Sequence, residues 1–294
     1  MEYLFSDLKN LDSNTLYIVG NGFDLFHDIR SSYQHFYYWL KCIGEDNFVS
    51  ELERIYPEKM GDRPLLWSDF ERALGEYNID TIYKDSVKNL DPEDEKVITA
   101  AKEKIHPVIS KIPQLMRQWA KQIDKSKVKS ELPLSKKSYY LTFNYTDTLE
   151  TIYGIPSENI CHIHGRCSDD AKPIVVGHRK YVSESEIENK EYHYYEEQAR
   201  LNIVREMNSM CKNHDENTER HKRFFDSLSI INRVVILGHS LSQIDLPYIG
   251  KIKRKVSEDA HWFISKYKPT DEQTIQERIK DLSIKEENRW IINF

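Results

Sequence analysis

Apolar positions along the chain recur with two different periods. Short runs rich in β-branched and aromatic residues, Leu16–Val19, Ser138–Phe143, Ile160–Ile163, Ile174–Val176, Val234–Leu237 and His261–Ile264, read as strands, and the terminal run Trp290–Phe294 adds another. Elsewhere apolar residues return every three or four positions, as helices require. Tyr33, Phe36, Tyr37 and Leu40 do so behind a serine N-cap, Ser31 or Ser32; Ile105, Val108, Ile109, Ile112, Leu115 and Trp119 do so further on. Pro107 and Pro113 fall inside the second pattern and are expected to bend or divide that helix. The strands gather at the start and from about residue 138 onward, so mainly helical insertions are expected at about 45–130 and 181–229. The alternation predicts an α/β fold, a Rossmann-like, mostly parallel sheet with helices on both faces. At 294 residues, one such domain spanning 1–294 accommodates the insertions.

Composition narrows the function classes. Hydrophobic residues make up 39% and the mean hydropathy is -0.67, and no run approaches the roughly 20 apolar residues of a membrane helix. The opening MEYLFSDLKNLDSN has no basic segment leading into an apolar one, so a cytoplasmic location and no membrane partner are expected. Charge is mixed along the chain, with a net value of -6, and nucleic-acid binding would need a local basic patch that the sequence does not display. The four cysteines, Cys42, Cys161, Cys167 and Cys211, match no disulfide framework. Cys161, His162, His164 and Cys167 lie close together, but strand alternation sends the two histidines to the face opposite Cys161, and no metal is expected there.

Four strand ends carry the candidate chemistry. Tyr17-Ile18-Val19 runs into Gly20-Asn21-Gly22-Phe23-Asp24, a strand, a Gly-x-Gly turn and a helix start, which is how a backbone approaches a pyrophosphate. The third glycine of a dinucleotide fingerprint is missing, since Leu25 holds its place, and this disfavours an ordinary NAD-dependent dehydrogenase. Thr142-Phe143-Asn144-Tyr145-Thr146-Asp147 ends a second strand in polar residues; Asn144 can orient a ribose or a water, and Asn144, Thr146 or Asp147 can equally cap the helix running to Tyr153. His162-Ile163-His164-Gly165 places a histidine at a strand end, where acid–base chemistry near neutral pH is available, though a lone histidine is more often structural. Gly238-His239-Ser240-Leu241-Ser242-Gln243-Ile244-Asp245 ends the fourth.

Together these segments resemble the AbiH family of phage abortive-infection proteins. The likeness runs through Gly20–Leu25 with His27, Ser31, Tyr33 and Phe36, then Trp67-Ser68-Asp69-Phe70-Glu71, Thr142–Glu150, Ile163-His164-Gly165 and Leu237–Leu241. Asp28 stands where glycine is expected and His35 where aspartate is expected. The same order of motifs is similar to sirtuin-like NAD-consuming defence proteins. That resemblance implies a sirtuin-like variant of the fold, NAD as substrate, Asn144 and His164 as catalytic residues, and Gly20, Asn21, Gly22, Phe23, Asp24, Thr142, Asp147, Gly238, Ser240 and Asp245 around the cofactor. Asn21 and Asp24 depart from that pattern, and Asp147 falls one place late. No paired Cys-x-x-Cys is present, which argues against protein deacetylation. Two alternatives stay open: a nucleotide-binding sensor or scaffold without turnover, and a hydrolase or nuclease in which Asp24, Asp147 and Asp245 gather a divalent cation. A toxic NAD hydrolase must be restrained in healthy cells, so a homo-oligomer or a regulatory protein partner is also expected.

Overall fold

The computed structural model describes residues 3–4, 14–126, 128, 132–188, 190–266, 271–280 and 282–293, and these divide into two compact units. The first comprises the described residues of 1–31, 120–175 and 213–294. The second is drawn from 32–119 and 176–212.

Strands of the chain are β1 (Tyr3–Leu4), β2 (Thr15–Val19), β3 (Lys59–Met60), β4 (Arg63–Pro64), β5 (Tyr139–Thr142), β6 (Ile160–His162), β7 (Arg233–Leu237), β8 (His261–Lys266) and β9 (Arg289–Asn293). In the first unit seven of them form one sheet in the order β1-β9-β8-β7-β2-β5-β6, and every pairing in it is parallel. Leaving out β1, the strands stand in chain rank 3-2-1-4-5-6, the doubly wound Rossmann arrangement. The rank reverses between β2 and β7, and an α/β sheet of this type opens its ligand crevice at that switch point, outside the carboxyl ends of the strands.

A parallel strand buried on both faces reads as a continuous apolar run, and β2 has all five residues buried. Leu16 and Ile18 join one core with Phe143, Phe225, Tyr248, Ile249, Ile252, Ile275 and Ile279, so the helices Lys222–Ser227, Leu246–Lys255 and Asp271–Lys280 contribute to that core. Tyr17 and Val19 join the opposite core with Phe23, Leu149 and Tyr153, to which the short helices Asn21–Phe26 and Thr148–Thr151 contribute. Across β2 and β5, the rings of Tyr17 and Tyr140 stack at 4.8 Å.

Several expectations change at this level. Ile174–Val176 is not a strand: it is a largely buried stretch in which Val175 N–H donates to the His164 carbonyl at 2.8 Å, outside any ladder. β1 has no counterpart among the runs the sequence displays, because two residues are too few to show a period. Phe294, the last residue of the expected terminal strand, lies outside the described residues.

In the second unit, Tyr33–Cys42 starts where the sequence places it. Ser32 caps it, accepting the His35 N–H, and the His35 ring returns to the Ser32 backbone in a capping box. Lys96–Gln122 runs as one 27-residue helix through both prolines, neither of which is buried, and only its last three residues are counted with the first unit. The expected division therefore does not occur. The buried residues around the two prolines, Ile105, Val108, Ile109, Ile112, Leu115, Met116 and Trp119, hold the helix by packing where two backbone hydrogen bonds are forgone. β3 and β4 form a separate antiparallel hairpin. The Trp67–Glu71 motif serves this unit's interior. The ring of Phe36 packs within 6.4 Å of Trp67 and 5.2 Å of Trp119, and Glu71 pairs with the fully buried ammonium of Lys212 at 2.7 Å.

Candidate functional site

The four motif-bearing strands are neighbours in the order β7-β2-β5-β6, so their carboxyl ends line up along one stretch of the sheet edge that contains the switch point. There the loop after β2 and the loop after β7 touch. Gly20 N–H donates to the Leu237 carbonyl at 3.0 Å, and Gly22 N–H to the Gly238 carbonyl at 2.8 Å. A Cβ on Gly22 would fall 2.8 Å from the Gly238 Cα, and one on Gly238, whose φ is +61°, would fall 2.1 Å from the Phe23 nitrogen. The glycines thus have a structural reason in the closeness of the two loops, and two N–H groups expected to face a pyrophosphate are engaged within the protein. Asn21 and Ser240 are exposed where these loops leave their strands; Asn21 Oδ1 accepts from Ser31 Oγ at 2.6 Å, and the Ser240 carbonyl accepts from the Arg278 guanidinium.

Asn144 lies beside them. Its side-chain amide donates to the Gly20 carbonyl at 3.1 Å, and its backbone N–H donates to Thr142 Oγ1 at 3.1 Å. Toward one core, His164 and Asp245 come together: Nε2 of His164 stands 3.6 Å from Oδ1 of Asp245, while Nε2 of His239 stands 3.5 Å from Oδ2. The Phe143 ring packs against both imidazoles, at 5.2 Å and 4.3 Å between centroids, and Tyr248 lies 5.8 Å from His164. His164 is 3% exposed, Asp245 7% and Asn144 8%, so three groups able to move or orient protons are packed at the rim of the sheet.

A second polar group lies toward the opposite core. Asp24 is fully buried, and its Oδ2 accepts from Thr146 Oγ1 at 2.6 Å. Burial pushes its carboxyl above the ordinary aspartate range, against the lowering effect of the Thr146 and Thr148 hydroxyls and the charges of His27 and Lys125. Asp24 therefore braces the loop from beneath, as does Phe23, which is also fully buried. Thr142, 2% exposed, spends its hydroxyl on the Asn144 backbone. Asp147 pairs with Lys125 at 2.8 Å, and it precedes the helix Thr148–Thr151 without making a side-chain cap bond. His27 is held on both ring nitrogens, by the Phe23 carbonyl at 2.7 Å and by the Tyr153 hydroxyl.

The sequence-predicted residues thus separate. Asn144 and Gly238 are hydrogen-bonded to the loop after β2, and His164 lies against Asp245 of the loop after β7, whereas Phe23, Asp24, Thr142 and Asp147 are absorbed into supporting contacts. His239 carries no role on sequence grounds, and its contact with Asp245 spans a loop whose conformation a sequence does not display. Leu241, in that loop, adopts φ +53°, an uncommon value for a large side chain, while being fully buried. His162 turns to Glu150 at 2.9 Å rather than to His164 or the cysteines. Among the described residues no three His, Cys, Asp or Glu side chains are arranged to hold a metal ion, so Asp24, Asp147 and Asp245 are not gathered. Among them too, no helix is long and apolar enough to cross a membrane.

A search of curated proteins returns no match. The family model for bacteriophage abortive infection AbiH matches residues 16–266, a span that includes all four strand-end motifs and most of both units. The chain therefore belongs to the AbiH family, and its function is abortive-infection defence against phage.

Proposed function

We propose that the chain carries out this defence by hydrolysing the nicotinamide–ribose bond of NAD. The observation that supports the reading is that Asn144 is bonded to the loop after β2 and His164 lies against Asp245 of the loop after β7, the two loops that flank the switch point of a Rossmann-ordered sheet, where nucleotides bind in open α/β folds. Nicotinamide is already a good leaving group, so catalysis consists mainly of placing a water and stabilising an oxocarbenium-like ribose. With its amide nitrogen bonded to the Gly20 carbonyl, Asn144 presents its Oδ1 as the acceptor that orients the water. The water oxygen bonds to the ribose C1′ while the C1′–nitrogen bond breaks. Its electron pair leaves with neutral nicotinamide, and the water's proton passes to His164. The pyrophosphate rests against Asn21 and Ser240, exposed residues of the two loops.

The test is incubation of purified protein with NAD, following nicotinamide and ADP-ribose by chromatography. Release in the wild type that disappears in His164→Ala and in Asn144→Ala is the expected result; full activity in either folded variant overturns the assignment. The depth of burial of both residues favours one second reading, a nucleotide sensor that binds NAD without turnover. Saturable binding by calorimetry with no product would select it.

A further inference from the structure

Among the described residues, Asp245 is the one carboxylate that reaches two imidazoles, one with each oxygen, at 3.6 Å and 3.5 Å. Its orientation is set locally. Ser242 Oγ donates to Oδ2 at 3.1 Å, and the Asp245 N–H donates back to Ser242 Oγ at 3.3 Å. His239 is constrained from its other side, because the Leu241 N–H donates to its Nδ1 at 2.9 Å. A ring nitrogen that accepts a backbone N–H cannot carry the proton, so neutral His239 bears it on Nε2, toward Asp245. The same carboxylate facing Nε2 of His164 favours Nε2–H there as well, which makes Nδ1 the proton-accepting atom of that ring.

We infer that Asp245 is the positioning residue of this site, holding His164 and His239 as Nε2–H tautomers through its two carboxylate oxygens and so preparing His164 Nδ1 as the base. This assigns Asp245 to the imidazoles rather than to the cofactor, and His239 to the support of that carboxylate. The catalytic part of the inference rests on the NAD reading above; the tautomer part does not.

The experiment is nitrogen-detected histidine NMR on the full chain at neutral pH, alongside NAD hydrolysis. In the wild type, both residues should show a protonated Nε2 and an unprotonated Nδ1. Asp245→Asn offers one acceptor oxygen and an amide that donates. Leu241 still occupies Nδ1 of His239, so His164 is the ring that should switch to Nδ1–H. Turnover should fall by about 10³–10⁴-fold, as when a catalytic histidine loses the carboxylate that sets its tautomer. Asp245→Glu should restore part of the activity together with the Nε2–H signal. A wild-type His164 found as Nδ1–H overturns the inference without any variant, and so does a His164 whose tautomer is unchanged in Asp245→Asn. If His164 switches tautomer but the wild type neither binds nor cleaves NAD, the positioning stands and the NAD reading falls. Cleavage that survives in Asp245→Asn with unchanged tautomers does the reverse.

Discussion

Two positions where the chain departs from its family's pattern acquire physical meaning residue by residue. Asp28 stands where glycine is expected, and its backbone has φ +57°, a left-handed conformation that costs an L-residue about 1–2 kcal/mol and glycine almost nothing. Part of that gain is offset by glycine's greater freedom in the unfolded chain. Asp28→Gly should therefore raise stability by about 0.5–1 kcal/mol, read as a later midpoint in urea unfolding; a lower midpoint would mean that the exposed Asp28 side chain makes a contact worth more than the strain. Leu241 shares the conformation, at φ +53°, but not the prediction, since its side chain is fully buried in the core of one sheet face. His35, standing where aspartate is expected, completes the capping box with its ring nitrogen, so the substitution retains the acceptor that the position requires.

At the scale of elements, the decisive feature is the contact between the loops after β2 and β7. It ties the two loops together across the switch point through paired backbone hydrogen bonds, and it requires glycine for space as well as for conformation. Gly238→Ala should destabilise the protein by about 3 kcal/mol or more, because the new Cβ would meet the Phe23 nitrogen at 2.1 Å, where nothing flexible can yield. Gly44→Ala is the control: its φ is +79° but a Cβ there would meet open space, so only the conformational cost, about 0.5–1 kcal/mol after the same unfolded-state offset, should appear. Equal losses in the two thermal melts would show that loop contact contributes nothing beyond backbone strain. The long helix Lys96–Gln122 teaches a related lesson. Proline remains a strong local signal, yet an apolar stripe packed along the whole length carries the helix past two of them.

For the molecule as a whole, buried ionisable groups couple stability to pH. Burial raises the Asp24 carboxyl above its ordinary value, so the folded state holds a proton that the unfolded chain releases. The stability that follows is fully present below the unfolded pKa of about 3.9 and is lost as pH rises through the higher folded value. Glu150 acts in the opposite sense. Burial pushes it up, but the hydrogen bond and charge of His162 and the hydrogen bond from Arg166 outweigh that and hold it below the usual range. Its contribution is present above the unfolded pKa and is lost as pH falls through the depressed one. Since the two oppose each other, the informative measurement is the difference between Asp24→Asn and the wild type. That difference should move in favour of the variant between about pH 3.5 and pH 7, because asparagine keeps an acceptor for Thr146 and carries no buried charge. A difference that stays constant across this range would show that the carboxyl titrates alike in both states.

Much of the sheet was legible in the sequence because a strand buried on both faces must be apolar throughout, as Leu16–Val19 and Val234–Leu237 are, and because each such run ends in glycine or polar residues where it meets the edge. The motifs at those ends, and the family with them, are likewise local patterns that survive without coordinates. Strand order was not legible, since hydrophobic periodicity does not say which run lies beside which, and only pairing sets β7 next to β2 and β2 next to β5. Nor could spacing separate Asp24 from Asp245: both follow a glycine-bearing strand end, yet one is buried beneath a loop against Thr146 and the other lies between two histidines. The sequence by itself determined which residues are apolar, which can turn and which can titrate. The tertiary structure alone decided which of them meet, because a side chain's role depends on neighbours that the chain supplies from more than a hundred residues away.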